Sequence, residues 1–172
     1  MKPITAGADL TETTIGDEVF EGLDLRSVRF NCAELTGVRF VECRFIGCNF
    51  FDARLTDCDL LDCTFDRCTF TGTEITGGDW SGTRLLAADL STTEFTRVRM
   101  RETNLRAARC QGATFRDVDF TNALLDEADF TRADLRGSIL TAFDPRTTDL
   151  REAVITAEQA VDLAVALGLS IR

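Results

Sequence analysis

Large apolar residues recur at every fifth position of this sequence, in one phase from Leu10 to Leu140. The series opens Leu10, Ile15, Phe20, Leu25, Phe30, Leu35, Phe40, Phe45, Phe50 and later includes Phe65, Phe70, Trp80, Phe95, Phe115, Phe120 and Phe130. It holds 27 consecutive members without an insertion; Pro145 interrupts it, and Leu150 and Ile155 resume it. Two residues before the large positions lies a smaller set, among them Ala33, Val38, Cys43, Cys48, Ala53, Cys58, Cys63, Cys68, Ala88, Ala128 and Ala133. A helix would place its apolar residues at i, i+3 and i+4, and a long half-buried strand would alternate by two. A period of five with two inward positions requires a chain that turns a corner after every five residues. Four such sides close a square coil of roughly twenty residues, a repeat that buries its core only by stacking on its neighbours. Successive coils then lie ~4.8 Å apart, the spacing of hydrogen-bonded strands. Phe30, Phe50 and Phe70 fall in one interior column and Phe45 and Phe65 in another, with the small residues filling the space between.

The unit behind the period is a small residue, Asp or Asn, Leu or Phe, a polar residue and often Gly. It is written out in Ala8-Asp9-Leu10, Cys48-Asn49-Phe50, Ala88-Asp89-Leu90, Ala128-Asp129-Phe130-Thr131 and Ala133-Asp134-Leu135-Arg136-Gly137. In these motifs the chain resembles the pentapeptide-repeat family over residues 6–155. The fold expected is all-β: a right-handed quadrilateral β-helix over 1–155, with a C-terminal helix and tail over 156–172 as a capping and dimerisation element.

That C-terminal segment has its own signals. Thr156-Ala157-Glu158-Gln159 has the form of a capping box, with Thr at the N-cap and Gln three residues on. A short helix over Ala160 to Leu167 follows, with Gly168 placed to end it and Leu169-Ser170-Ile171 as an extended tail. A cap is expected, because a bare final coil offers unpaired backbone to other chains. The helix is apolar on more than one face. One face can seal the coil and another can meet a second copy in a two-fold dimer. Ala160, Leu163, Ala164, Leu167 and Leu169 are the candidate dimer contacts.

The net charge is -10, from 29 acidic and 19 basic side chains, the opposite of what a nucleic-acid binder carries. It is unevenly spread. Residues 1–28 hold six acids against two bases, and residues 29–116 hold twelve of each. Residues 117–152 hold nine acids against four arginines, about one net charge per 1.8 Å at strand spacing. Duplex DNA carries one per ~1.7 Å. Asp117, Asp119, Asp126, Glu127, Asp129 and Asp134 are therefore candidate phosphate surrogates, arranged as a collar more than a stripe. Arg97, Arg99, Arg101, Arg106 and Arg109 form a basic cluster just before it. Val41, Ile46, Phe51 and Leu61 follow inward positions and should point outward as an apolar patch.

The end of the chain sharpens the resemblance. Asp134-Leu135-Arg136-Gly137, Asp144-Pro145, Glu158-Gln159-Ala160-Val161 and Leu167-Gly168-Leu169 are similar to the C-terminal end of the MfpA/Qnr-type branch, and no projecting loop interrupts the repeat. What this resemblance implies is a tail-to-tail homodimer that mimics DNA and binds DNA gyrase, with topoisomerase IV as a second candidate. The implied outcome is competition with DNA and protection against fluoroquinolone-type or natural-product topoisomerase poisons.

Other classes find little support. Histidine is absent, which removes the commonest general base and metal ligand. The cysteines occupy inward positions, where Cys acts as a compact hydrophobe. No catalytic residue, cofactor or metal site is expected, and no direct nucleic-acid contact. No apolar run approaches the ~20 residues of a membrane helix, and Met1-Lys2-Pro3-Ile4-Thr5 lacks a signal-peptide stretch, so a cytoplasmic protein is expected. The alternative reading is a scaffold or interaction module with a non-topoisomerase partner; a self-immunity role beside a gyrase-poisoning natural product is a further variant.

Overall fold

A computed structural model describes residues 4–170. Every backbone pairing joins residue n to n+20 in parallel, as in Thr14 with Glu34, Val19 with Arg39 and Asp24 with Arg44. The chain is a right-handed square β-solenoid closed by one helix. Its sides are numbered here from the inward residue of the first coil: side 1 from Leu10, side 2 from Ile15, side 3 from Phe20 and side 4 from Leu25. Side 2 is the longest continuous sheet. Its six strands are Thr14–Gly16, Glu34–Thr36, Arg54–Thr56, Glu74–Thr76, Glu94–Thr96 and Thr114–Arg116. Side 3 stacks Val19–Glu21, Arg39–Val41 and Asp59–Leu61, and side 4 stacks Asp24–Arg26, Arg44–Ile46 and Thr64–Asp66. Elsewhere the sides meet through single bridges, from Asp9–Arg29 on side 1 to Asp134–Val154 on side 2.

The period-five residues form the core. Phe30 stacks on Phe50 at 4.7 Å, Phe50 on Phe70 at 5.4 Å and Phe45 on Phe65 at 4.7 Å. Parallel columns arise because identical positions recur at each level, and the rings of adjacent columns meet edge-on, as Phe40 does with Phe45. Burial of each such ring contributes about 1.5–3 kcal/mol. The small inward cysteines also satisfy backbone groups: Cys58 Sγ donates to Leu35 O at 3.4 Å and Cys63 Sγ to Phe40 O at 3.5 Å. Where Pro145 leaves the series, Phe143 takes its volume from the normally small position and is fully buried.

Most corners end on a residue with positive φ, as at Asp17, Asp57 and Asn122, a region in which Asp and Asn are enriched among non-glycine residues. Along one corner Asp17, Gly37, Asp57 and Gly77 alternate, and Arg97 intervenes before Asp117 and Gly137. The Asp57 carboxylate lies where a Cβ on Gly77 would stand, 2.1 Å away, and Gly77 has φ +70°. The terminal helix spans Ala157–Ala166, starting three residues before the expected Ala160 because the capping box places Thr156 at the N-cap. Thr156 N–H donates to Gln159 Oε1 at 2.8 Å, and Gln159 N–H donates back to Thr156 Oγ1. Gln159 Nε2 also donates to Leu135 O and Ser138 O, both at 2.7 Å, and so ties the helix to the last coil. Ile171, placed in the tail, lies outside the described residues.

Candidate partner-binding surface

The six acids of the collar encircle the rod, and the stacking gives most of them partners. Asp119, 14% exposed, accepts from Thr121 N–H at 3.0 Å, from Thr121 Oγ1 and from Arg101 Nε, both at 2.5 Å. Burial opposes its ionisation, but these bonds outweigh it and hold the carboxyl below its usual range. Asp126 pairs with Arg106 at 3.0 Å. Asp129 accepts from Gln111 Nε2 at 2.6 Å and Thr131 N–H at 2.9 Å, which overcome its burial and lower its pKa. Asp134 is bound by Arg136 at 2.7 Å and Arg116 at 2.6 Å. The hydrogen bond from Arg136, aided by Arg116 and opposed by burial, keeps this carboxyl ionised far below its ordinary value. Asp117 and Glu127 make no ion pair among the described residues, and both stand exposed at corners.

The basic cluster is the collar's counter-charge. Arg101 and Arg106 reach forward to Asp119 and Asp126, while Arg99 and Arg109 reach back to Asp79 and Asp89. Along the middle of the sides, charge is largely neutralised in this way, as in Arg39–Asp59, Arg54–Glu74 and Arg132–Glu152. Most of the acids without an ion pair among the described residues sit instead at corners. Asp17, Asp57 and Asp117 run along one edge of side 3, with Arg97 at the same corner between Asp57 and Asp117, and the acids Glu42, Asp62 and Glu102 run along the other. All six acids have positive φ, and none makes an ion pair among the described residues. Five of these six escaped the sequence reading, which summed charge along the chain. The signal was present: with a period of five, positions 17, 57 and 117 share one corner, and positions 42, 62 and 102 share the next.

Val41, Ile46 and Leu61 are half-buried and Phe51 is 41% exposed, so the outward apolar set is only partly open. At the C-terminal end, Leu163 is half-buried against the rod's own core. Ala164 is half-buried and Ala160 exposed. Leu167 and Leu169 are exposed, together with Val161 and Val165, which the sequence reading had left out. Among the described residues, no group of three or more Cys, Asp or Glu is placed to hold a metal ion. No helix among them is long and apolar enough to cross a membrane.

Comparison with known proteins agrees with this geometry. The family model for pentapeptide repeats (8 copies) matches residues 6–41, 70–106 and 103–141, and a second pentapeptide-repeat model (9 copies) matches residues 30–74. The chain belongs to the pentapeptide-repeat family. Among solved pentapeptide-repeat rods, it is similar to two trypsin-treated variants of QnrB1, a plasmid-mediated fluoroquinolone resistance protein. The first is 22% identical with a TM-score of 0.55, the second 20% identical with 0.54, and each alignment covers 97% of this chain and 96% of that one. This likeness concerns the fold. Among curated proteins, no sequence matches this pentapeptide-repeat chain.

Proposed function

We propose that the protein is a homodimeric DNA mimic that binds DNA gyrase, with topoisomerase IV as a second candidate, and takes no part in a chemical reaction. The observation that carries this reading is the pair of edges along side 3, Asp17–Asp57–Asp117 and Glu42–Asp62–Glu102, whose acids make no ion pair among the described residues while Arg39–Asp59, Arg99–Asp79 and Arg101–Asp119 pair between them. Two lines of anionic groups flanking one face of a rod imitate the two phosphate strands beside a groove. Six acids less Arg97 over about five coils give one net charge per ~5 Å, against one per ~1.7 Å in duplex DNA, so the reading rests on placement more than on amount. Asp117 joins these edges to the collar, where Asp119, Asp126, Glu127, Asp129 and Asp134 add further carboxylates. The likeness in fold to QnrB1, described as a fluoroquinolone resistance protein, supports the choice of target. Competition with DNA would reduce cleavage complexes stabilised by fluoroquinolone-type or natural-product poisons.

The exposed Val161, Val165, Leu167 and Leu169, with Ala160 and Ala164, would meet their copies across a two-fold axis. This would join two rods end to end. The extensive neutralisation along the sides favours a second reading, an interaction module whose partner is not a topoisomerase. DNA supercoiling by purified gyrase, with increasing protein at low and high salt and with and without a fluoroquinolone, separates the two. Salt-sensitive inhibition with fewer drug-induced double-strand breaks is expected; supercoiling unchanged at every concentration would discard the gyrase reading and leave the module.

A further inference from the structure

Midway along the rod, a level departs from regular stacking. On side 1, bridges join Asn49 to Thr69 and Asp89 to Arg109, but none joins Thr69 to Asp89. Phe30 N–H donates to Asn49 O at 2.7 Å, Phe50 to Thr69 O at 2.8 Å and Leu90 to Arg109 O at 2.7 Å; the equivalent bond from Phe70 to Asp89 is missing. So are the bonds that would run from Asp89 N–H to Cys68 O and from Arg67 N–H to Leu86 O. Gly72 N–H, which should meet the Ser91 carbonyl, donates to Thr92 Oγ1 at 3.3 Å instead. Sides 2 and 4 stay bonded at this level, with Ile75 paired to Phe95 and Phe65 N–H donating to Arg84 O at 3.0 Å, and side 3 keeps the bond from Leu60 N–H to Asp79 O at 2.7 Å although no bridge joins Asp59 to Asp79. Two adjoining depressions of about 340 and 210 Å³ open in the seam, and both are lined by Cys68, Phe70 and Asp89.

The residues around the seam account for it. Thr92 occupies a corner position that takes positive φ at Asp52, Gly72, Gly112 and Arg132, and Thr92 does not adopt it. A β-branched side chain is strongly disfavoured there. On the opposite side, Gly78 has φ +83°, and a Cβ on it would stand 2.0 Å from Cys58 O. Asp79 N–H there donates to Asp59 Oδ1 at 3.0 Å in place of the backbone carbonyl. Trp80 fills the same coil with its Nε1 buried and unpartnered among the described residues. The coil that begins at Gly78 therefore lies close to its predecessor on side 3 and stands away from it on side 1.

We propose that this seam is a joint: side 1 opens and closes between Thr69 and Asp89 while side 3 acts as the hinge, so that residues 4–77 and 78–155 change their relative tilt. Most of the missing main-chain bonds lie along side 1 and its corners, whereas side 3 lacks only the bond from Asp79 N–H to Cys58 O, which Asp59 Oδ1 replaces, so opening side 1 at this level breaks no main-chain bond. A rod with one such joint can adjust its curvature to a partner's surface, whichever partner that is.

Two measurements on the full chain test it. In amide hydrogen exchange, Arg67, Phe70 and Asp89 should exchange at least roughly 100-fold faster than Gly47, Phe50 and Arg109, as expected of amides without a lasting bond. Comparable protection at both sets would overturn the open seam. For motion, paired spin labels are placed five coils apart, ~24 Å, in a Cys32→Ser, Cys68→Ala background. Phe51→Cys with Arg151→Cys spans side 1, and Val41→Cys with Thr141→Cys spans side 3. A broader distance distribution on side 1, narrowed by Thr92→Gly, is expected; equal widths on both sides would show a rigid notch and overturn the joint.

Discussion

Arg106 Nε lies 3.0 Å from the carboxylate of Asp126, its neighbour one coil further along the rod. An arginine that precedes the acidic collar in sequence is thus part of the collar in space, and with Arg101 it masks two of the six carboxylates assigned to partner binding. Replacing both by Gln should unmask Asp119 and Asp126. Inhibition of gyrase supercoiling is expected to strengthen and its salt dependence to steepen, while stability changes by only about 0.2–1 kcal/mol per exposed pair. Inhibition unchanged in strength and salt slope would remove the collar from the binding surface.

The two edges of side 3 make a separate prediction. Asp57→Asn with Asp62→Asn removes two free charges at corners where Asn tolerates positive φ. Inhibition should weaken roughly three- to tenfold, about 0.7–1.4 kcal/mol, with the melting curve preserved. A matched loss of stability would instead mark these residues as structural.

Gln159 joins the helix to the coil through two carbonyls and completes the capping box. Gln159→Leu leaves Leu135 O and Ser138 O without this donor and should cost about 1–3 kcal/mol, read by thermal or urea unfolding. Exchange protection should fall first at the C-terminal coils.

The helix sorts its apolar residues by face. Val165→Asp or Leu167→Asp places a charge on the exposed face and should yield monomers of normal stability in analytical ultracentrifugation. Leu163→Asp buries a charge against the rod's own core and should unfold the cap instead. A dimer that survives both exposed-face changes would place the interface elsewhere.

Asp134 links stability to pH. Its folded-state carboxyl is held well below the ordinary carboxylate range by Arg136 and Arg116. Its contribution is therefore complete above the unfolded value of about 3.9 and fades as pH falls from there through the folded value. Asp134→Asn should cost about 1–3 kcal/mol at pH 7, and the gap to the parent protein should narrow steadily in unfolding curves taken below pH ~4. A gap independent of pH would mean that the loss comes from packing.

The sequence by itself determined the period, the inward set, the square coil and the capping box, because a chain that turns every five residues has only one way to bury Phe30, Phe50 and Phe70 together. With the period known, partners such as Arg39–Asp59 and Arg106–Asp126 were also legible, since they stand twenty residues apart. Only the tertiary structure decided which acids remain free. Arg101 reaches Asp119 and Arg116 reaches Asp134 diagonally, eighteen residues away, and no column of the repeat predicts a side chain that leans across its own side to the next column. The structure likewise decided that Leu163 faces its own core while Val165 faces out. Phe143 replaces Pro145 inside the last coil for a similar reason, because close packing assigns volume by space and not by position in a motif. The open seam at Thr69 and Asp89 belongs to the same class. The repeat around it reads as regular, and only the tilt imposed by Gly78, Trp80 and Thr92 acting together separates the strands.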